Sequence, residues 1–249
     1  MERGVDFTIT SGNNPQFSNE NRQVYFACKR VLDIVVSFTG MLILSPVMII
    51  LYLLIKFDSP GNPIYVQERV GTELKNINGK NVWVQKNFKM YKFRSMRTNS
   101  TSKIHQQFIQ AYISGDETQM AALQQAKASE NNKFKLNGDP RITKIGKFIR
   151  KTSLDELPQL YNVLIGDMTL VGPRPPIPYE VALYRPYHLK RLNTKQGITG
   201  YWQVNGRSST SFEEMVQLDT EYIKKQSLWL DINILFKTVA EVFIKQDTH

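Results

Sequence analysis

The chain has 249 residues and a formal charge of +10, from 32 Lys plus Arg against 22 Asp plus Glu. That length suits one or two domains with a buried core, and the positive surplus points to a polyanionic partner: nucleic acid, an acidic membrane surface or a phosphorylated substrate. A single cysteine, Cys28, excludes an internal disulfide, and no zinc-type Cys or His cluster is present.

Met1 to Asn21, rich in Asn, Ser, Thr and Gly, reads as part of a flexible tail that extends to residue 28. About thirty mostly polar residues precede the first apolar run, which does not match a cleavable signal peptide. From Ile34 to Ile55 no residue is charged. As a straight helix that run is roughly 33 Å long, close to the ~30 Å hydrocarbon thickness of a bilayer. Pro46, just past its midpoint, takes the helical partner from the Leu42 carbonyl and bends the chain. The Ser45 hydroxyl is a candidate to satisfy the freed group. Two topologies stay open on the residues alone: a kinked spanning helix, and a re-entrant hairpin with arms of roughly 17 Å. Lys29 and Arg30 precede the run, with Asp33 in reach of either. Lys56 and Arg69 follow it, and positive charge on both flanks fits a hairpin whose ends share one headgroup layer.

Asp58 to Pro63 is a turn signal, and Ile64 to Gly71 then reads as a strand. A hairpin turn through Asn78-Gly79 leads to a second strand around Val82 to Val84. Phe88 to Arg94 alternates apolar and basic residues, as a half-buried strand with one cationic face would. Residues 99–138 are rich in Gln, Ser, Asn and Ala. Ile104, Phe108, Ile109 and Tyr112, then Met120 and Leu123, have helical spacing there, so the stretch reads as a helical insertion over the core or a mobile lid. A helix from Asp139-Pro140 places Ile142, Ile145, Phe148 and Ile149 on one face and Arg141, Lys144, Lys147, Arg150 and Lys151 on the others. It reads equally as a surface helix or one lying in a membrane interface. Leu228 to Phe243 is a last amphipathic helix, with Trp229 placed to anchor at a headgroup boundary.

Four blocks mix glycine, proline, cations and carboxylates: Tyr91 to Met96, Arg150 to Pro158, Gly166 to Pro175, and Gly197 to Arg207. In the second, Ser153 followed by Glu156 has the spacing of a helix capping box. Pro158 fits that poorly, since it falls past the usual first-turn slot for proline, and a helix starting near Pro158 leaves Asp155 and Glu156 on a turn.

In their order these blocks resemble the bacterial sugar transferases, the monotopic polyprenyl-phosphate sugar-1-phosphate transferases. The resemblance rests on Lys29-Arg30 to Asp33, Ser45-Pro46, Lys92 to Met96, Asp139 to Arg141, Thr152 to Leu160, Gly166 to Met168, Val171 to Pro175 and Trp202 to Arg207, and covers nearly all but the tail. It implies an α+β fold: a re-entrant membrane helix over 29–57, broken at Ser45-Pro46, joined to a small mixed helix/strand cytoplasmic domain over 58–249 with interfacial amphipathic helices. It further implies that Asp155 is a nucleophile, that Glu156 with Asp155 holds Mg²⁺, and that nearby cations bind phosphate. Lys92, Arg94, Arg150, Arg174 and Arg207 are the supply. Asp167 is a secondary candidate for metal or loop positioning, or for a purely structural turn.

The implied partners are a UDP-sugar, a polyprenyl phosphate and membrane lipids at the cytoplasmic face of a bacterial inner membrane. A homodimer stays open. Nucleic acid is set aside, because it leaves the uncharged run and the acidic pair unexplained. The cations have a physical purpose. A carboxylate approaching a diphosphate meets about 4 kcal/mol of repulsion per unit pair at 4 Å, for an effective dielectric near 20, nearly a thousandfold in rate.

Overall fold

A computed structural model describes residues 22–97, 103–125, 141–206 and 210–244. Its first element, α1 (Gln23–Asp58), is a helix of 36 residues, about 54 Å long at 1.5 Å per residue. It begins ahead of the tail boundary expected at residue 28, and residues 1–21 lie outside the described part. The helix runs on through Ser45-Pro46, so the expected break is not an interruption of α1. Proline's missing donor is compensated locally: Ser45 Oγ donates to the Leu42 carbonyl at 2.8 Å. By length and composition α1 could cross a membrane, and only 11% of its most apolar window is buried. Leu42, Ile43, Ile49, Ile50, Leu53 and Leu54 are exposed. An apolar face of that extent belongs against lipid or another apolar surface.

After the turn at Ser59 to Pro63 comes one long antiparallel hairpin, β1 (Ile64–Ile77) and β2 (Lys80–Phe93). The two strands expected at 82–84 and 88–94 are therefore one. Asn78 and Gly79 both take positive φ, 52° and 78°, the conformation a two-residue turn of this hand requires. Helices α2 (Lys103–Ser114) and α3 (Glu117–Gln125) follow. Phe108, Ala111, Tyr112 and Met120 pack on Trp202, Phe212, Met215 and Val216, so this part of the 99–138 stretch lies over the core.

Asp139 and Pro140 lie outside the described residues. The helix expected there is α4 (Lys144–Lys151), capped by Thr143, whose hydroxyl accepts from Gly146 N–H. Ile149 is buried, whereas Phe148 faces outward rather than joining the buried side. Gly146 lets α4 press against the Ser95 carbonyl, where any Cβ would collide. A single 3₁₀ turn, Leu154–Glu156, then leads to α5 (Gln159–Ile165). The remaining elements are β3 (Thr169–Val171), α6 (Pro178–Val181), a 3₁₀ turn at His188–Leu192, β4 (Gly197–Thr199), α7 (Tyr201–Asn205), α8 (Phe212–Lys225) and α9 (Leu228–Ile244). β3 and β4 pair in parallel.

The core gathers Phe88 and Met90 of β2, Val163 of α5, Met168, Leu170 and Val171 around β3, Tyr222 and Ile223 of α8, and Ile234 of α9. Helix α1 is bound to this domain along its length. Lys29 forms a buried ion pair with Asp231 at 2.7 Å, and Asp231 also accepts from Tyr222 and Tyr25. Asp33 pairs with neither Lys29 nor Arg30, contrary to expectation; it accepts from the Thr169 hydroxyl and the Leu170 N–H. Arg30 donates to the Val163 and Leu164 carbonyls at the C-terminal end of α5, where a cation complements orphan acceptors and the helix dipole. A Cβ built on Gly40 would stand 3.5 Å from Leu160 Cδ1. Further on, Leu51 and Ile55 close over Phe93 and Ile149, with Leu154 and Leu157 at the edge of that cluster.

Candidate active site

Asp155 and Glu156 sit on the 3₁₀ turn between α4 and α5, both half-buried. The capping box does not form. Ser153 takes a left-handed conformation (φ 57°, ψ 15°), its side chain caps nothing, and α5 starts after Pro158. The alternative reading, an acidic pair on a turn, describes the structure. Leu154 and Leu157 on either side pack into the cluster with Leu51 and Ile55, so the acidic turn is pinned against the apolar helix.

Lys92, from the last turn of pairing in β2, donates to Glu156 Oε1 at 2.9 Å. Arg150 lies in the last turn of α4, half-buried and just upstream of the acidic turn. Lys92, Arg150, Asp155 and Glu156 are thus drawn to one corner, where β2, α4 and α5 meet. Paired carboxylates with cations from two neighbouring elements can attack, or hold a metal against, a phosphate while cancelling its charge.

The other predicted residues are placed differently. Arg94 is not at the phosphate corner. It is 4% exposed, and its guanidinium donates to the Ile55, Ser59 and Pro60 carbonyls and to Ser59 Oγ, which closes the C-terminal end of α1. Asp167 follows Gly166, the left-handed C-cap of α5, and forms an ion pair with Lys86 at 2.9 Å. The length of α5, roughly 10 Å, separates it from the acidic turn, which favours its role as a structural turn. Arg174 is exposed on the proline-rich strap Pro173 to Pro176. Arg207 lies outside the described residues.

Sequence reasoning missed Arg191 and read Arg69 only as a flanking cation at the headgroup layer, whereas both are buried beneath that strap. Arg69 donates to the Pro175 carbonyl at 2.9 Å and to Gln67 Oε1. Burial, with Arg174 nearby, pushes its pKa down to about 10. Arg191 is paired with buried Asp219 at 2.8 Å and bonded to the Tyr184 hydroxyl. A signal for Arg69 was present: Glu68 and Arg69 are neighbours in a strand, so one of them has to face the covered side.

Among the described residues no group of three or more His, Cys, Asp or Glu side chains could hold a metal. The donor set of Asp155 and Glu156 still suits Mg²⁺, which takes one or two carboxylates and completes its octahedron with water and substrate phosphates.

The family model for bacterial sugar transferases matches residues 24–245. The chain is 44% identical over 220 residues to an undecaprenyl-phosphate galactose phosphotransferase of Salmonella typhimurium, covering 88% of this chain and 41% of that protein. It is 42% identical to a UDP-galactose-lipid carrier transferase of Erwinia amylovora, over 88% and 41% of the two chains. With the exopolysaccharide production protein ExoY of Rhizobium meliloti the identity is 33%, over 94% of each. The chain thus spans about 40% of the length of several curated relatives and nearly all of ExoY.

Proposed function

Because the chain belongs to the bacterial sugar transferase family, we propose that it moves a sugar-1-phosphate from a UDP-sugar to a polyprenyl phosphate at the cytoplasmic face of a bacterial inner membrane. The observation that carries this reading is the acidic turn: Asp155 and Glu156 are half-exposed, Glu156 is bridged to Lys92, and the turn is packed through Leu154 and Leu157 against the apolar helix. That arrangement brings carboxylate chemistry to the side of a lipid-facing element, where a soluble donor and a lipid acceptor can both reach it. Relatives named for lipid-carrier and undecaprenyl-phosphate sugar transfer support the same substrates.

Two displacements make up the reaction. The Asp155 carboxylate attacks the phosphorus bonded to the sugar, the bridging diphosphate bond breaks, and UMP leaves with the electron pair. A phosphate oxygen of the polyprenyl carrier then attacks that phosphorus, the acyl phosphate bond breaks, and Asp155 is regenerated beside a polyprenyl diphosphate sugar. Lys92 and Arg150 hold the anionic groups in line. Mg²⁺, held by Glu156 with Asp155, would supply charge neutralisation on the diphosphate.

The membrane helix is read as re-entrant. Along a straight helix Arg30 and Ile55 would be about 37 Å apart, more than the hydrocarbon thickness. Yet Arg30, Gly40 and Ile55 all lie against one domain, with Arg30 on α5, Gly40 on Leu160 and Ile55 beside Phe93. These contacts support a helix whose two ends lie on the same side of the membrane as the domain.

The decisive experiment incubates detergent-solubilised protein with a panel of UDP-sugars, undecaprenyl phosphate and Mg²⁺ and measures UMP. One donor should yield UMP, and Asp155→Asn should abolish it. Release of UMP by no donor, or full turnover by Asp155→Asn, overturns the proposal.

A further inference from the structure

The strap Pro173 to Pro176 is held from below by buried groups that the acidic turn does not use. Arg69, on β1, is 5% exposed and donates to the Pro175 carbonyl, and the next residue, Val70, donates its N–H to the Pro176 carbonyl at 2.9 Å. Gly172, just before the strap, packs so closely on the Lys195 carbonyl and Gly197 that a side chain would collide. The strap is therefore stitched to β1 and β4, with Arg174 as its exposed cation.

The charge balance beneath it is unusual. A buried guanidinium ordinarily takes a carboxylate, as Arg191 takes Asp219. Arg69 instead bonds only uncharged oxygens, those of Gln67 and Pro175, and among the described residues it has no ion pair. Burial first, and then Arg174 as a like charge, lower its pKa, and they outweigh the opposing pull of the Glu180 carboxylate. The hydroxyl of Tyr179, which shares that neighbourhood, is buried and has no hydrogen-bond partner among the described residues. Two cations and an unused donor, with one carboxylate at a distance, make a place that gains by taking up an anion.

We propose that Arg69 is a positioning residue that fixes the strap so that Arg174 is presented to a phosphate group of the substrate. This rests on the reading of the chain as a sugar-1-phosphate transferase. The phosphate belongs to either the donor diphosphate or the lipid acceptor. Along β1, Arg69 stands four residues from Tyr65, which pairs with Lys92, a separation of roughly 13 Å. Arg69 itself is thus remote from the acidic turn, and its influence passes through Arg174.

The test is a double-mutant cycle on the full chain in detergent, with melting followed for each variant. UDP affinity is read by calorimetry, and the KM for polyprenyl phosphate by turnover. Arg174→Ala and Arg69→Met should each weaken one of these by tenfold or more, and Arg69→Lys by less, since it keeps the charge but loses the fork. In the Arg174→Ala background, Arg69→Met should add less than threefold. A shift in UDP affinity assigns the site to the donor; a shift in acceptor KM assigns it to the lipid. If Arg69→Met leaves both within twofold of wild type, or its effect multiplies fully with that of Arg174→Ala, the proposal is wrong. Should Arg69→Met fail to fold, the same cycle with Arg69→Lys decides. Failure of the covalent mechanism would appear separately, as turnover by Asp155→Asn with the binding cycle unchanged.

Discussion

Lys92 Nζ lies 2.9 Å from Glu156 Oε1, and this one contact joins the end of the β-hairpin to the turn that carries the acidic pair. Both side chains are partly solvated, at 17% and 35% exposure, so the pair contributes little to stability, within about 1 kcal/mol. A cation facing developing phosphate charge matters far more. Lys92→Met should melt within a few degrees of wild type and lose about a hundredfold or more in UMP release. Loss of folding with catalysis preserved per folded molecule would contradict that division of labour.

Ser153 holds the turn in a conformation that L-residues other than Asn and Asp seldom adopt. Left-handed backbone costs roughly 1–2 kcal/mol for a residue with a Cβ, and more strain when that Cβ is branched. Ser153→Gly should therefore keep activity and leave stability unchanged or higher, while Ser153→Val should lower both. Thermal unfolding and initial rates on the two variants check this. A Ser153→Val enzyme equal to wild type would mean that the turn does not need its present backbone to present Asp155.

Much of this arrangement was legible in the sequence because local chemistry decided it. The Asn78-Gly79 turn, the apolar run, the helix α9 (though its Phe236 and Val239 face outward while Ile234 is buried) and the start of α5 near Pro158 all follow from signals a few residues long. What was not legible depended on distant partners. Lys29, Arg30 and Asp33 look like one i,i+4 group, yet each finds its partner more than a hundred residues away, in Asp231, the α5 carbonyls and β3. Arg94 sits in a run of basic residues that reads as one cationic face, but it lies just past the end of β2 and its guanidinium closes the end of α1. Charge pattern alone does not separate a ligand-binding arginine from one that satisfies carbonyls. The same limit put Arg69 among the flanking headgroup cations, although it is buried.

The re-entrant reading predicts sidedness. With Cys28→Ser as background, a cysteine placed at position 14, outside the described residues, should react with a membrane-impermeant thiol reagent only after the inner membrane is opened. Pro46→Leu returns an N–H to the Leu42 carbonyl and removes the bend-inducing ring. A fraction of that variant should then expose position 14 to the outside. Labelling of the Pro46 protein in intact cells would sink the hairpin.

The Lys29–Asp231 pair is buried on both sides, at 7% and 1% exposure, and is reinforced by Tyr222 and Tyr25. Asp231→Asn strands the ammonium of Lys29 without its ion-pair partner and should cost about 3–5 kcal/mol in denaturant unfolding. Lys29→Met with Asp231→Asn removes both charges, and it should recover a large part of that loss. If the double variant is no more stable than the single one, the unpaired charge is not what the single substitution exposes.

Asp219 offers a pH signature that runs opposite to most carboxylates. It is fully buried, and burial outweighs the pull of Arg191, lifting its pKa from 3.8 to about 6. Between those values the folded protein holds a proton that the unfolded chain has released, so protonation favours the fold. Its contribution is complete below about pH 4, is lost as the pH rises through 6, and is then level. The size is on the order of 3 kcal/mol, at 1.36 kcal/mol for each pKa unit. Asp219→Asn cannot titrate, so the difference in unfolding free energy between wild type and variant isolates this one group. That difference should move against the wild type between pH 4 and pH 7. A difference that stays flat, or moves the other way, would mean that Arg191 holds the carboxylate ionised throughout, with the ion pair dominating burial.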